Sequence, residues 1–248
     1  MIKTKKTTSL SDTSPNKMVK IAGMMFLFAF IVPTLNWAFI LSQFQVPNDA
    51  LNTGKNIVAN ELLFRIGISI ELVMSIGLVV LGVALYSLLK SINKTLAQFA
   101  LALKLVEAAI AVVITLGSFI ALLALSGNDS YLAPLNQESL QAFAGFMLQK
   151  HTVLYSFPMV FLGLDMMLFC YLFFKSRYIP RLLAGFGVLS FALIFIHAIM
   201  NVIAPHYAAM PINQIVFWGP SGLFEILIGL WLLVKGLNKD LLHPITQR

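Results

Sequence analysis

Six stretches of this chain stay apolar for twenty residues or more, a length that matches a hydrocarbon layer better than a soluble core. About 20 residues of helix cross the roughly 30 Å interior of a bilayer. The runs fall at about 20–43, 61–90, 95–125, 149–174, 180–204 and 212–236. Lipid offers no hydrogen-bond partners, so each run must satisfy its own backbone as a helix. The expected fold is therefore all-α: a polytopic transmembrane bundle of six helices. Composition agrees, since 11% of residues are charged against about 25% in a soluble domain. The connections are short, which leaves one domain over 20–237 between polar tails at 1–19 and 238–248. The first run follows Lys3, Lys5, Lys6, Lys17 and Lys20 and superficially resembles a signal peptide. It continues from Ile21 to about Leu41 with no small-x-small cleavage site after it, which makes it an uncleaved anchor.

Orientation follows from the cations. Thirteen of the 17 Lys and Arg residues lie in the N-terminal tail, the 90–94 turn, the 175–181 turn and the C-terminal tail. The other side holds Lys55, Arg65 and Lys150, and Lys104 sits inside the third run. By the positive-inside rule the cation-rich side is cytoplasmic. An even number of spans independently puts both termini on one side. The excess of basic residues is thus a topology signal, and no nucleic-acid partner is implied. The single cysteine, Cys170, lies within an apolar run and says nothing of redox compartment.

The residues that carry information are those hydrocarbon should reject. Glu71, Glu107, Asp165 and Glu225 fall near the middle of runs two, three, four and six, with Lys104 in run three and His197 in run five. Each charge at a helix centre costs roughly 2.5–3.5 kcal/mol if it faces lipid, so these side chains are expected to face the bundle interior. Helical spacing supports this, because about 100° per residue groups the polar and small residues of each helix on one face. Glu71 shares a stripe with Gly67 and Ser75, and Lys104 with Glu107, Thr115 and Ser118. His151, Pro158 and Asp165 share a third, and Ser190, His197 and Asn201 a fourth. The longest stripe runs through Gln214, Trp218, Ser221, Gly222 and Glu225. Such narrow faces let helices approach and hydrogen-bond across the bundle.

Lys104 and Glu107 are three apart and can pair. That leaves Glu71, Asp165 and Glu225 with His197, and at a stretch Arg65, as cationic partners. Arg65 lies about 120° from Glu71 and is expected to reach outward or toward a neighbouring helix. A surplus of acid remains, which a proton, a cation or a polar ligand must offset. In the last run Gly219-Pro220-Ser221-Gly222 precedes Glu225, and a proline-broken helix beside a midplane carboxylate is a transporter feature as well as an ordinary kink.

Histidine spacing offers no His-x-x-x-His, Cys–His or Glu-x-x-His pattern, so no metal ligand set is assigned and any cofactor stays open. An interhelical hydrogen bond is the expectation for His197, and an interfacial position for His151. Of the longer connections, 44–60 contains Pro47, Asn48 and Asp49 before a weakly helical stretch. The other, 126–148, opens on the turn Gly127-Asn128-Asp129-Ser130. There Asn136 is placed to cap an amphipathic segment from Gln137 to Gln149, expected as a surface helix that fills the gap between spans.

Four strings carry a resemblance: Ala59-Asn-Glu-Leu-Leu-Phe-Arg-Ile-Gly67, Ala84-Leu-Tyr-Ser-Leu-Leu-Lys90 with Asn93-Lys94, Phe174-Lys-Ser-Arg-Tyr-Ile-Pro-Arg181, and Leu230-Trp-Leu-Leu-Val-Lys-Gly236. Over roughly residues 18–237 the chain resembles a bacterial membrane-protein family catalogued as domain of unknown function number forty-three eighty-six. The resemblance implies a multi-pass protein of the bacterial inner membrane and brings no activity or site residues with it.

Three functional readings follow from the residues. In the first, Glu71, Lys104, Glu107, Asp165, His197, Asn201 and Glu225 form a polar cluster that binds or translocates a small polar ligand, a proton or a cation. Glu225 beside Pro220 is then the gating or protonatable group. In the second, the same residues only hold helices together in a non-catalytic scaffold or accessory subunit. The third, an intramembrane enzyme, lacks any catalytic signature.

Overall fold

The computed structural model describes residues 15–125, 136–208 and 210–238. The N-terminal tail through residue 14, the turn at 127–130 and the C-terminal tail from residue 239 lie outside the described residues. Six helices are long and apolar enough to cross a membrane, and no strand occurs among the described residues. The chain runs through α1 (Pro15–Phe39), α2 (Ala50–Ala59), α3 (Glu61–Leu89), α4 (Lys94–Leu125) and α5 (Gln137–Leu154). It continues through α6 (Ser156–Ser176), α7 (Arg181–Ile203), the single turn α8 (Pro205–Ala208) and α9 (Pro211–Val234). Helices α1, α3, α4, α6, α7 and α9 are the spans of a multi-pass membrane protein. Each packs on the next in chain order, and α9 returns to pack on α1, so the six close into a ring.

Local chemistry sets the boundaries. Asn93 caps α4 by accepting from the Leu96 N–H at 3.0 Å, and Asn136 caps α5 through the Ser139 N–H at 2.8 Å. Asp49 caps α2, accepting from the Asn52 N–H at 2.9 Å and from its side-chain amide at 2.6 Å. The backbone N–H and then the amide of Asn52 hold the Asp49 carboxyl below the usual carboxylate range. Arg177 closes α6 with φ of 59°.

The fourth span differs from its expectation. Its helix begins at Gln137 and is interrupted at Tyr155, between α5 and α6. Pro158 explains the break: it has no N–H to offer the Leu154 carbonyl, and its ring crowds that carbonyl. The 137–149 segment, expected as a surface filler, packs against α2 and α4. Leu140, Ala144 and Leu148 are buried there, and glycine makes the contact possible. A Cβ on Gly54 would strike the Gln141 backbone, and one on Gly145 the Ala50 backbone. The 32 residues of α4 extend about 48 Å, well beyond a 30 Å hydrocarbon layer. Helices α2, α4 and α5 therefore build a helical cap at the end of the bundle away from the basic turns.

The main core lies at the other end. Phe26, Phe169, Phe173, Phe191 and Phe224 are fully buried there among Leu85, Leu89 and Ile228. Phe224 stacks edge-on against Phe26, Phe186 and Phe191 at 6.1, 6.3 and 5.6 Å.

Candidate functional site

Two charged residues on α4 and one on α6 meet inside the ring. Lys104 Nζ lies 2.7 Å from Glu107 Oε2 and 2.9 Å from Asp165 Oδ1. Exposure is 0% for Lys104 and Asp165 and 1% for Glu107, so all three have left solvent. A glycine opens the space: a Cβ on Gly82 of α3 would sit 2.8 Å from Lys104 Cγ. Lys104 donates a hydrogen bond to Glu107. Its contact with Asp165 is close but poorly aligned, and neither Asp165 oxygen has a hydrogen-bond partner among the described residues. The expected Lys104–Glu107 pair is therefore half of a three-residue group, and Asp165, expected to lack this cation, takes the other side of it.

Glu225 approaches the same group from α9 across a cavity of about 390 Å³. Lys104, Glu107, Glu225 and Ser221 supply the cavity's polar wall, and Met74, Leu78, Leu81, Leu162 and Met166 its apolar wall. No hydrogen bond or ion pair with a described residue engages the Glu225 carboxylate. Counting from the basic ends of their helices, Lys104, Asp165 and Glu225 lie about 14–17 Å deep and Glu107 about 20 Å.

Glu71 is about 27 Å from that end, in a separate niche. Thr115 donates to its Oε2 at 3.0 Å, and His151 Nε2 lies 3.0 Å from Oε1 and 3.2 Å from Oε2. His151 is 4% exposed, so it is buried against its neighbours, and it supplies the partner that Glu71 lacked in the sequence. Arg65 pairs instead with Glu61 on its own helix at 2.6 Å. Among the described residues no group of three or more His, Cys, Asp and Glu side chains is placed to hold a metal ion.

His197 and Asn201 occupy a third niche. The Asn201 amide and the Trp218 indole both approach His197 Nδ1 at 3.1 Å, so this nitrogen serves as an acceptor. His197 has the interhelical hydrogen bond expected of it, but about 24 Å above the basic end it stands apart from Lys104. The seven candidates thus divide among three niches rather than forming one cluster.

Two aromatic residues join the niches. Tyr155 and Trp218 line the central cavity, the Glu71–His151 cavity of about 330 Å³ and the His197–Asn201 cavity of about 400 Å³. The Tyr155 hydroxyl lies beside Thr115, within the electrostatic influence of both Glu71 and Glu107. Tyr155 drew no attention in the sequence. The available signal was Pro158 three residues later, which breaks the helix at Tyr155, together with its i,i+4 relation to His151. Their rings lie 4.9 Å apart.

Three prolines surround this junction. Pro33 lines two of the cavities, Pro158 sits below Tyr155, and Pro220 precedes Ser221. Each removes an intrahelical donor, leaving the carbonyls of Ala29, Leu154 and Val216 without their helical partners. Broken backbone at membrane depth is tolerated where it is buried in protein or lines a cavity.

Residues 21–236 match the family described as Domain of unknown function (DUF4386), in agreement with the four sequence strings. No curated protein and no solved structure matches the chain.

Proposed function

The chain belongs to the DUF4386 family, and from that premise and its interior geometry we propose that it is a membrane binding or transport protein whose central cavity receives a small organic cation with an apolar body. One observation carries the reading: the Glu225 carboxylate lines an interior cavity and has no hydrogen-bond or ion-pair partner among the described residues. The adjoining charges favour a cation, since Glu107, Asp165 and Glu225 set three acids against the single Lys104. Lys104 is already flanked by two carboxylates, which leaves little attraction for an anion. The predominantly apolar wall suits a hydrocarbon body, and about 390 Å³ falls in the ordinary range for small-molecule sites. An inorganic cation would need several converging oxygen ligands, and the acids here are spread along one wall. Tyr155 and Trp218 offer aromatic faces to a cation on its way in. The exposed Thr34 and Trp218 stand at the cavity rim, so entry runs between α1 and α9. With the basic end cytoplasmic in a bacterial inner membrane, the cavities face the outer half of the bilayer.

The scaffold reading has an observation of its own, because Lys104 bridges α4 to α6 through Asp165. That contact accounts for Asp165 as an interhelical clamp and leaves Glu225 unexplained. Calorimetric titration of the purified protein in a non-ionic detergent separates the readings. Benzyltriethylammonium, a permanent cation, should bind wild type, and benzenesulfonate should not. Glu225→Gln should weaken cation binding at least about tenfold, the loss of one charge-assisted contact, with an unchanged melting midpoint. Glu61→Gln, which removes an exposed charge, should bind as wild type does. Equal binding by wild type and Glu225→Gln would remove the case for this cavity.

A further inference from the structure

We propose that a basic recess between the α6–α7 turn and the end of α9 binds the phosphate group of an anionic lipid. The recess has a volume of about 470 Å³, and Arg177, Arg181 and Lys235 line it together with Trp231, Tyr178 and Asn238. It is built by the fold: the Asn238 N–H donates to the Tyr178 carbonyl at 3.0 Å, and Tyr178, Ile179 and Leu237 are buried beneath. Left-handed backbone at Arg177 (φ 59°) and Gly236 (φ 70°) turns both segments into this corner.

Its charge is one-sided. Among the described residues no acidic side chain lines it, and none of its three cations makes an ion pair with a described residue. Arg181 rests on the face of Phe174, 5.4 Å from the ring centroid, so the guanidinium is partly ordered before any ligand arrives. The N-terminus of α7, a 23-residue helix, opens beside it, and Pro180 provides no side-chain cap. Helix N-termini present N–H groups and partial positive charge to anions.

Topology alone requires basic residues at this end, and Lys90 and Lys94 satisfy that role in the α3–α4 turn without lining the recess. What distinguishes Arg177, Arg181 and Lys235 is convergence on one concavity. A free phosphate shares the headgroup's chemistry, but the surroundings favour a lipid. Leu182 and Val234 flank the recess at 87% and 75% exposure, where acyl chains can lie along them, and Trp231 supplies the aromatic group typical of headgroup depth.

The test uses the full chain in non-ionic detergent, with the melting midpoint titrated against dioleoylphosphatidylglycerol, dioleoylphosphatidylcholine and inorganic phosphate. Phosphatidylglycerol should raise the midpoint of wild type saturably, with phosphatidylcholine and phosphate much weaker. The double variant Arg177→Gln/Arg181→Gln should weaken the phosphatidylglycerol response at least about tenfold, following the worth of headgroup-level cations. Arg181→Lys and the double variant Lys90→Gln/Lys94→Gln should retain it. Equal losses in the two double variants would reduce the effect to general surface charge and overturn the site. A response to inorganic phosphate matching that to phosphatidylglycerol would overturn the lipid as its occupant.

Discussion

At the basic end of the bundle, α1 and α9 touch through Gly23 and Gly229, where a Cβ on Gly23 would meet the Gly229 carbonyl at 3.0 Å. In the other half of the same two helices, Pro33 and Pro220 each remove a backbone hydrogen bond from a helix that continues past them, and a cavity lies between the helices. The contrast extends around the ring. One half is filled by phenylalanines in edge-on contact, and the other contains three cavities that share Tyr155 and Trp218. Both halves come from similarly apolar helices, so overall hydropathy does not separate them. Glycine and aromatic residues close one half, whereas proline and charge open the other. Under the proposed function, ligand would enter through the open half while the aromatic half stays closed.

Lys104 sits at the boundary between the halves, and its replacement should have the largest effect. Lys104→Met keeps much of the side-chain volume and leaves Glu107 and Asp165 facing each other without their cation. Removing one member of a buried charge group costs about 3–5 kcal/mol, because the remaining charges stay buried and unpaired. The triple change Lys104→Met/Glu107→Gln/Asp165→Asn should recover most of that loss in chemical denaturation from mixed micelles. If the single variant were as stable as wild type, the group would not link the halves energetically.

The sealed half is tested by Phe224→Ala, with an expected loss of about 3–4 kcal/mol from the void left among Phe26, Phe186 and Phe191. Met159→Ala, which enlarges two existing cavities, should cost about 1–2 kcal/mol, since a wall that already borders space loses fewer contacts. Similar losses at both positions would mean that the cavities are as tightly packed as the aromatic core.

The spans were legible because run length maps directly onto bilayer thickness, and Lys104–Glu107 because i,i+3 spacing is a local geometry. Asp165 was placed on an inward face correctly, but its contact with Lys104 depends on how α4 and α6 are docked. No single-helix periodicity contains that information. Depth was the weaker reading. Facing inward is decided by angle around a helix, whereas joining a cluster also needs equal height, and His197 and Asn201 share the inward angle but lie nearer the capped end. His151 shares a helical face with Pro158 and Asp165, so its inward orientation was legible. Its pairing with Glu71 was not, because that depends on how its helix is docked against α3.

That pairing gives the smallest effect and bears on whether the open half has its own organisation. His151→Ala should lose about 1–2 kcal/mol, because among the described residues Glu71 would keep only Thr115 as a buried donor. His151→Gln, which still offers an N–H, should lose less. In a double-mutant cycle with Glu71→Gln the coupling should be about 1 kcal/mol. The same variants should leave the Lys104→Met penalty unchanged, since the two groups belong to separate niches whose effects ought to add. Strong non-additivity between His151→Ala and Lys104→Met would instead show that the niches act as one electrostatic unit. Tyr155, which stands between Glu71 and Glu107, is the side chain through which such coupling would pass.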